Sequence, residues 1–222
     1  MTRTRSLLAW MIRTGTSALC RIDTGPLADV PECGPLILVM NHINSLEVPL
    51  LSAYLQPRPM TGVAKVETWA NPLMGWLFDQ WEAIPIKRGE ADVVAVRRAL
   101  AVLAGGGILA VAPEGTRSYN GRLLRARPGV VTLALHSGAP ILPVAHWGGE
   151  KFGGNLRRMR RTDFHIRVGR PFRLIDVRAR LSHAVRQKMV DEIMVELAAL
   201  MPEFYRGEYA AIPSTQQYLQ FA

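Results

Sequence analysis

The stretch Pro35-Leu-Ile-Leu-Val-Met-Asn-His-Ile-Asn-Ser-Leu-Glu47 joins an apolar run to a polar turn and then to a helical pattern. The run from Pro35 to Met40 is short and continuously apolar, which is typical of a strand buried on both faces of a parallel sheet. The pair Asn41-His42 ends the run, and residues 46–55 have the pattern of a helix. Ligands of open α/β sheets bind just outside the carboxyl ends of the strands. His42 therefore lies where a functional side chain is expected.

The same alternation of strand and helix recurs along the chain. The clearest helix spans residues 92–104, where apolar side chains recur at helical spacing until three glycines end the pattern. We therefore predict an α/β fold with a mainly parallel central sheet flanked by helices and with an N-terminal amphipathic helix. The predicted strands are 35–40, 62–65, 83–86, 108–112, 141–146 and 165–168, and the predicted helices are 6–20, 46–55, 71–81, 92–104, 130–136 and one that begins after Ser182.

The 222 residues favour a single domain, 1–222, that is long enough to bury a core. Within it, residues 1–24 are interpreted as an amphipathic helix, 25–201 as the body and 202–222 as an aromatic C-terminal tail. The tail has a loop-like composition, yet it contains five aromatic residues. Such residues favour docking onto the body or a partner over free disorder.

Composition excludes several classes of protein. Hydrophobic residues make up 49% of the chain and charged residues 20%, which excludes a disordered or collagen-like protein. Two cysteines form no disulfide framework, and no histidine or cysteine spacing predicts a metal site. The net charge of +9 favours polyanions, namely nucleic acid, anionic lipid or phosphorylated small molecules. Most of the excess positive charge lies in residues 151–180, which contain ten basic residues and only two acidic ones.

The pair of His42 and Glu47 can perform acid–base chemistry. On one straight helix their spacing would turn the side chains roughly 140° apart, so they can meet only if His42 lies in the turn and Glu47 begins the helix. A carboxylate on one imidazole nitrogen makes the other a better proton acceptor, so a substrate hydroxyl could complete a triad. No serine nucleophile elbow, Walker A loop or dinucleotide fingerprint is present. An ordinary loop that happens to contain a histidine and a glutamate is the alternative interpretation.

A second polar turn, Pro113-Glu-Gly-Thr-Arg-Ser118, also follows an apolar strand directly. Gly115 permits close backbone approach, Thr116 offers a hydroxyl, and Arg117 has the planar fork that binds phosphate with two hydrogen bonds. Lys65 and Arg88 each follow a short apolar run, so the three cations could share one anion site. The alternative is a plain polar turn with separate, solvated charges.

Together these segments resemble the glycerolipid acyltransferases, the 1-acylglycerol-3-phosphate acyltransferase (PlsC-like) superfamily. Asn41-His42 with an acid at position 47 is similar to the first family block, which ordinarily has aspartate at the place of Glu47. The other three blocks follow in family order, and all four cover about residues 36–146. They are similar to Ile84-Pro-Ile-Lys-Arg88-Gly89, to Ala112-Pro-Glu-Gly-Thr-Arg-Ser118, where Ala112 replaces an aromatic residue, and to Ala139-Pro-Ile-Leu-Pro-Val144.

The resemblance implies an enzyme that moves a fatty acyl group from acyl-CoA or acyl-ACP to the free hydroxyl of lysophosphatidic acid, giving phosphatidic acid. His42 and Glu47 are then the catalytic pair, with His42 removing the hydroxyl proton. The same resemblance implies no metal and no bound cofactor. The expected substrate-phosphate-binding residues are Lys65, Arg88, Glu114, Gly115, Thr116 and Arg117.

The lipid acceptor in turn implies a membrane surface with anionic lipids as a partner, and acyl carrier protein is a further possible partner. We expect peripheral attachment at the cytoplasmic face of the cell membrane, through the helix 6–20 and through basic groups. Two alternatives stay open. One is another acceptor, such as glycerol 3-phosphate or a different lysophospholipid. The other is a non-enzymatic module that binds nucleic acid through 151–180, although no known reading motif is present and no nucleic-acid partner is predicted.

Overall fold

A computed structural model of the chain describes residues 3–44, 47–87, 92–177, 181–213 and 215–221. Within these ranges, four short 3-10 helices connect the other elements. The helices are α1 (Arg3–Leu19), α2 (Glu47–Tyr54), α3 (Pro72–Gln80), α4 (Val93–Ala104), α5 (Gly129–Ser137), α6 (Phe152–Arg157) and α7 (His183–Ala199). The strands are β1 (Cys20–Ile22), β2 (Leu36–Met40), β3 (Met60–Lys65), β4 (Ile84–Ile86), β5 (Ile108–Val111), β6 (Ile141–Trp147), β7 (Thr162–Val168), β8 (Phe172–Leu174) and β9 (Leu219–Phe221).

These strands form one sheet in the order β1-β7-β6-β2-β5-β3-β4. From β6 to β4 every neighbouring pair is parallel, so β6, β2, β5, β3 and β4 all end at the same edge. Strand β7 runs antiparallel to β6, while β8 pairs antiparallel with β6 and with β9. The predicted α/β fold with a mainly parallel sheet is therefore confirmed.

Strand β2 lies at the centre of this sheet and separates two apolar cores. Each of its five residues is buried, as its unbroken apolar run predicts. Leu36, Leu38 and Met40 pack in a core that includes α2. The side chains of Ile37 and Val39 join the opposite core, which is built from α4, α5 and α7. Burial on both faces fixes where β2 ends and hence where His42 begins.

Both ends of the chain add a short strand to the sheet. The N-terminal segment 1–24 is not helical throughout, because α1 ends at Leu19 and β1 pairs with β7 from Cys20 onward. The aromatic tail lies on the body: Tyr205 and Tyr209 are buried, and β9 extends the sheet. Strands β1, β8 and β9 are only three residues long, too short for a periodic pattern to reveal them.

Helix α1 presents large apolar side chains to solvent and arginines to the body. Leu7, Trp10 and Met11 are 57%, 63% and 54% exposed. Arg5 pairs with Glu82, and Arg13 donates to the carbonyl oxygen of Ala53 at the end of α2. Within the described ranges, no helix combines the length and the apolar character that crossing a bilayer requires.

Candidate active site

His42 projects from the turn after β2, at the sheet edge where the parallel strands end. Glu47 is the first residue of α2, and both residues belong to the same β2–α2 connection. The His42 Nδ1 atom and the Glu47 Oε2 atom are 3.4 Å apart. Turn and helix start thus bring together two side chains that a continuous helix would separate.

The contact between the two side chains is electrostatic and shielded. A separation of 3.4 Å is longer than a good charge-assisted hydrogen bond, and neither atom has another hydrogen-bond partner among the residues that the structure describes. The Glu47 side chain is only 1% exposed, whereas that of His42 is 21% exposed. His42 is therefore the member of the pair that can meet a substrate.

Backbone donors hold the Glu47 carboxylate in place. Its Oε1 atom accepts hydrogen bonds from the N–H groups of Ile43 (3.1 Å) and Asn44 (2.5 Å). Burial alone would raise the pKa of Glu47, but the interaction with His42 and the Asn44 donor oppose burial, and this pKa lies below its usual value. The carboxylate is thus ionised and aimed at one nitrogen of His42.

Glu114 belongs to the predicted phosphate-binding set, but the structure turns it away from solvent. Its Oε1 atom accepts from the His42 backbone N–H at 2.8 Å, and its Oε2 atom accepts from Leu124 N–H at 2.9 Å. Burial raises the pKa of Glu114 to about 7 although these two donors oppose the shift. Glu114 therefore shapes the His42 turn, and both of its oxygens are already occupied by backbone donors.

The turn 113–119 is joined to the His42 turn by further backbone bonds. Ser118 N–H donates to the His42 carbonyl oxygen at 2.8 Å, and Tyr119 N–H donates to that of Ile43 at 3.3 Å. Gly115 bends the loop at a φ of +68°, a conformation that side chains with a Cβ rarely adopt. The first and third sequence blocks thus form one structural unit.

The predicted cations lie along the same edge, on successive strands. Arg117 follows β5, which is next to β2, and Lys65 ends β3, one strand further away. Both side chains are exposed, as is Thr116, and neither cation forms an ion pair within the described residues. Strand spacing puts the ends of β2 and β3 ~10 Å apart. Arg88 lies outside the described residues.

Sequence patterns did not predict that two buried residues next to the His42 turn, Asn41 and His146, are bonded to each other. Asn41 and His146 are both 1% exposed, and they exchange hydrogen bonds between β2 and β6. Asn44 Nδ2 donates to the Gly149 carbonyl oxygen at 3.0 Å, which fixes the turn from the other side. One signal was available, since His146 follows the apolar part of β6 much as His42 follows β2.

A model of the Acyltransferase family matches residues 21–147, more than half of the chain. The lyso-ornithine lipid O-acyltransferase of Pseudomonas aeruginosa is 37% identical over 113 residues, which make up 50% of this chain and 42% of that protein. A 1-acyl-sn-glycerol-3-phosphate acyltransferase of the same organism is 24% identical over 205 residues, which make up 87% of this chain and 78% of that protein. The chloroplastic enzyme BAT2 of Brassica napus is 29% identical over 58% of this chain and 38% of its own length.

Several of these curated relatives are therefore matched over less than half of their length. Among solved structures, PlsC of Thermotoga maritima, a 1-acyl-sn-glycerophosphate acyltransferase, superposes with a TM-score of 0.59. The match covers 85% of this chain and 76% of that one at 21% identity, a likeness of fold. The resemblance that the four sequence blocks carry is thus confirmed: this chain belongs to the Acyltransferase family.

Proposed function

We propose that the protein transfers a fatty acyl group from a thioester of coenzyme A or acyl carrier protein to the free hydroxyl of lysophosphatidic acid, forming phosphatidic acid. The observation that carries this proposal is the 3.4 Å contact between a buried, ionised Glu47 and a partly exposed His42. Membership of the family supports acyl transfer, and the names of several relatives support this acceptor.

The roles of the two nitrogens of His42 follow from the contact with Glu47. Because Nδ1 faces the carboxylate, Nε2 is left for the acceptor hydroxyl and takes its proton. The hydroxyl oxygen then attacks the thioester carbonyl carbon, and the carbon–sulfur bond breaks as the new ester forms. The departing thiolate takes the proton back from His42, so that neither metal nor cofactor is needed. Glu47 stabilises the imidazolium that exists between the two transfers.

The acceptor phosphate is proposed to bind Arg117 and Lys65, with Arg88 as a third cation. Arg117 is the best placed, because Ser118, the next residue, is bonded to the His42 carbonyl group. Replacing Arg117 by lysine keeps the charge but loses the planar fork. We expect Arg117→Lys to raise KM for lysophosphatidic acid by about tenfold, since one charged hydrogen bond contributes about 1.5–3 kcal/mol. An unchanged KM would remove Arg117 from the phosphate site, and Arg98→Lys on α4 is the matched control.

A different acceptor is the second candidate. The relative with 37% identity is named for a lyso-ornithine lipid, so the family block is compatible with an acceptor other than lysophosphatidic acid. The decisive experiment offers purified protein acyl-CoA with lysophosphatidic acid, glycerol 3-phosphate or lyso-ornithine lipid in parallel. Thiol release reports turnover, a reaction without acceptor corrects for hydrolysis, and mass spectrometry identifies the acylated product.

The catalytic role of His42 is tested in the same assay. His42→Ala is expected to abolish transfer to every acceptor, because no other side chain at the turn can take the hydroxyl proton. His136→Ala, at an exposed position near the end of α5, is the matched control and is expected to leave the rate unchanged. Transfer by the His42→Ala protein at the wild-type rate would exclude the proposed mechanism.

We also propose that the outward apolar face of α1 contacts the membrane that holds the acceptor. Its side chains include Leu7, Trp10 and Met11, and an exposed apolar face of this kind is typical of helices that lie in a bilayer interface. The turn after α6 adds the almost fully exposed Met159 between Arg158 and Arg160, a combination that suits anionic headgroups. Peripheral attachment at the cytoplasmic face remains part of this proposal.

A further inference from the structure

A second buried histidine lies directly beneath the His42 turn. His146 is near the end of β6, the strand that pairs in parallel with β2, and only 1% of its surface is exposed. Its ring stacks on Phe164 of β7, with the ring centroids 5.6 Å apart and the planes 10° apart. The side chain is therefore held rigidly, although it has no contact with solvent through which a substrate could reach it.

Three hydrogen bonds join His146 to Asn41. The Asn41 side chain donates to the His146 carbonyl oxygen at 2.8 Å and accepts from the His146 backbone N–H at 3.0 Å. The third contact joins His146 Nε2 to the Asn41 carbonyl oxygen at 2.7 Å. A carbonyl oxygen only accepts, so Nε2 must carry a proton.

The other ring nitrogen, Nδ1, is buried and has no hydrogen-bond partner in the described part of the chain. A second proton there would leave a buried charge without an acceptor, which is costly. Burial lowers the pKa of His146, and His42 acts in the same direction, while Glu47, the Asn41 carbonyl group and Glu150 oppose the shift. The geometry thus favours a neutral ring with its proton on Nε2.

The Asn41 carbonyl oxygen belongs to the peptide group that links Asn41 to His42. The N–H of that same peptide group, at His42, donates to Glu114. Both polar atoms of one peptide group are therefore held by buried side chains, the oxygen by His146 and the nitrogen by Glu114. A peptide group fixed at both ends cannot rotate, and its orientation sets the direction in which the next side chain, His42, projects.

We propose that His146 is a positioning residue for acyl transfer: its Nε2–H group holds the Asn41–His42 peptide so that the His42 ring stays aligned with Glu47 and with the substrate hydroxyl. The effect on catalysis rests on the proposed function. The hydrogen bond from His146 to the Asn41 carbonyl oxygen, here called the clamp, does not depend on it. Misplacing a catalytic group by about 1 Å can reduce the rate by ~10²-fold, so a bond that acts on the reaction only through His42 has a large effect.

Two substitutions separate positioning from simple packing. His146→Phe keeps a ring on Phe164 but loses the donor, whereas His146→Gln offers an amide N–H at a similar reach. We expect the Phe variant to lose ~10²-fold in kcat with KM changed less than about twofold, and the Gln variant to recover most of the rate. His165→Phe, at an exposed position on β7, is the control for adding the same side chain. A folded Phe variant with wild-type kcat, or an equal loss in both variants, would overturn the proposal.

A measurement without turnover keeps the test independent of the reaction. Nitrogen-15 spectra of the wild-type imidazole groups are expected to show His146 neutral, with its proton on Nε2, through the neutral pH range. Hydrogen exchange at the His42 amide is expected to be slow in the wild type and in the Gln variant and faster in the Phe variant. A proton on Nδ1, or unchanged exchange in the Phe variant, would exclude the clamp. Absence of transfer by the wild type to every acceptor would instead refute the proposed function.

Discussion

Glu47 is longer by one methylene than the aspartate that the resemblance leads one to expect, and both of its oxygens are in contact with the His42 turn. Its Oε1 atom lies on two N–H groups while Oε2 faces His42. Aspartate at this position would withdraw the carboxylate by about 1.5 Å, the length of one carbon–carbon bond. We therefore expect Glu47→Asp to lower kcat by at least about tenfold, although it restores the usual family residue.

Glu47→Gln separates charge from shape at the same position. It keeps the size of the side chain but removes the charge that stabilises protonated His42, and we expect kcat to fall by ~10²-fold or more. Steady-state assays with acyl-CoA and the preferred acceptor measure both variants, and Glu67→Gln at an exposed position is the control. Full activity in the Gln variant would show that His42 works without this carboxylate.

Glu114 makes the stability of the fold depend on pH. Because its pKa is about 7 in the folded protein and 4.5 in the unfolded chain, the folded state binds the proton more tightly. Its contribution to the free energy of unfolding is thus fully present below pH 4.5 and is lost as the pH rises to about 7, a change of up to about 3 kcal/mol. In Glu114→Gln this decrease is expected to disappear.

Urea unfolding of both proteins between pH 4.5 and 8 measures that difference. The Gln variant is expected to have a lower free energy of unfolding at pH 4.5, because its amide cannot accept from both His42 and Leu124. Its pH dependence, not its absolute stability, decides the prediction. Parallel curves for wild type and variant would show that Glu114 does not titrate in this range.

At the scale of elements, α1 has the opposite orientation to that of an ordinary surface helix. Arg5 and Arg13 are bonded to the body, and its large apolar side chains face outward. The Leu7→Asp, Met11→Asp double variant is expected to bind vesicles of phosphatidylcholine and phosphatidylglycerol at least about tenfold less tightly, since each large apolar side chain removed from water contributes about 1.5–3 kcal/mol. Vesicle flotation measures the bound fraction.

The control is Ile175→Asp, which puts one negative charge, half of that added in the double variant, at an exposed apolar position after β8. It is expected to bind vesicles like the wild type apart from a small electrostatic effect. Removing α1 altogether is a poorer experiment, because Ala9 is buried and Arg161 donates to the carbonyl oxygens of Ser17 and Cys20. Equal binding by the double variant and the control would assign membrane contact to another surface.

At the scale of the whole molecule, one buried carboxylate attaches the C-terminal tail to α7. Glu192 accepts hydrogen bonds from the backbone N–H groups of Gln217 (2.9 Å) and Tyr218 (2.8 Å) and from the Thr215 hydroxyl (2.7 Å). We expect Glu192→Ala to lower the free energy of unfolding by about 2 kcal/mol, because these donors lose their acceptor. Chemical denaturation measures the change, Glu208→Ala is the exposed control, and equal stability of the two variants would contradict the prediction.

The sheet itself assembles the proposed site. Parallel strands end at one edge, so residues that are far apart in sequence, such as Lys65 and Arg117, come to the same side of the molecule as His42. Most of this arrangement could be predicted, because apolar strand runs, glycines that end helices and the Ser182 N-cap are local sequence patterns. The folded structure retains the elements that these patterns predict. Strands β1, β8 and β9 could not, since their three residues have no measurable period. Strand β4 is equally short but was predicted from the apolar run 83–86.

By itself, the sequence determined the order of the main elements, the family and the residues of the His42 turn, because each depends on neighbours within a few positions. Only the tertiary structure decided how that turn is held. The bond from His42 to Glu114 spans 72 residues, and the bonds from Asn41 to His146 span 105. It also decided that Arg5 and Arg13 of α1 are bonded to the body. Contacts of this kind arise from which strands become neighbours, and no local pattern carries that information.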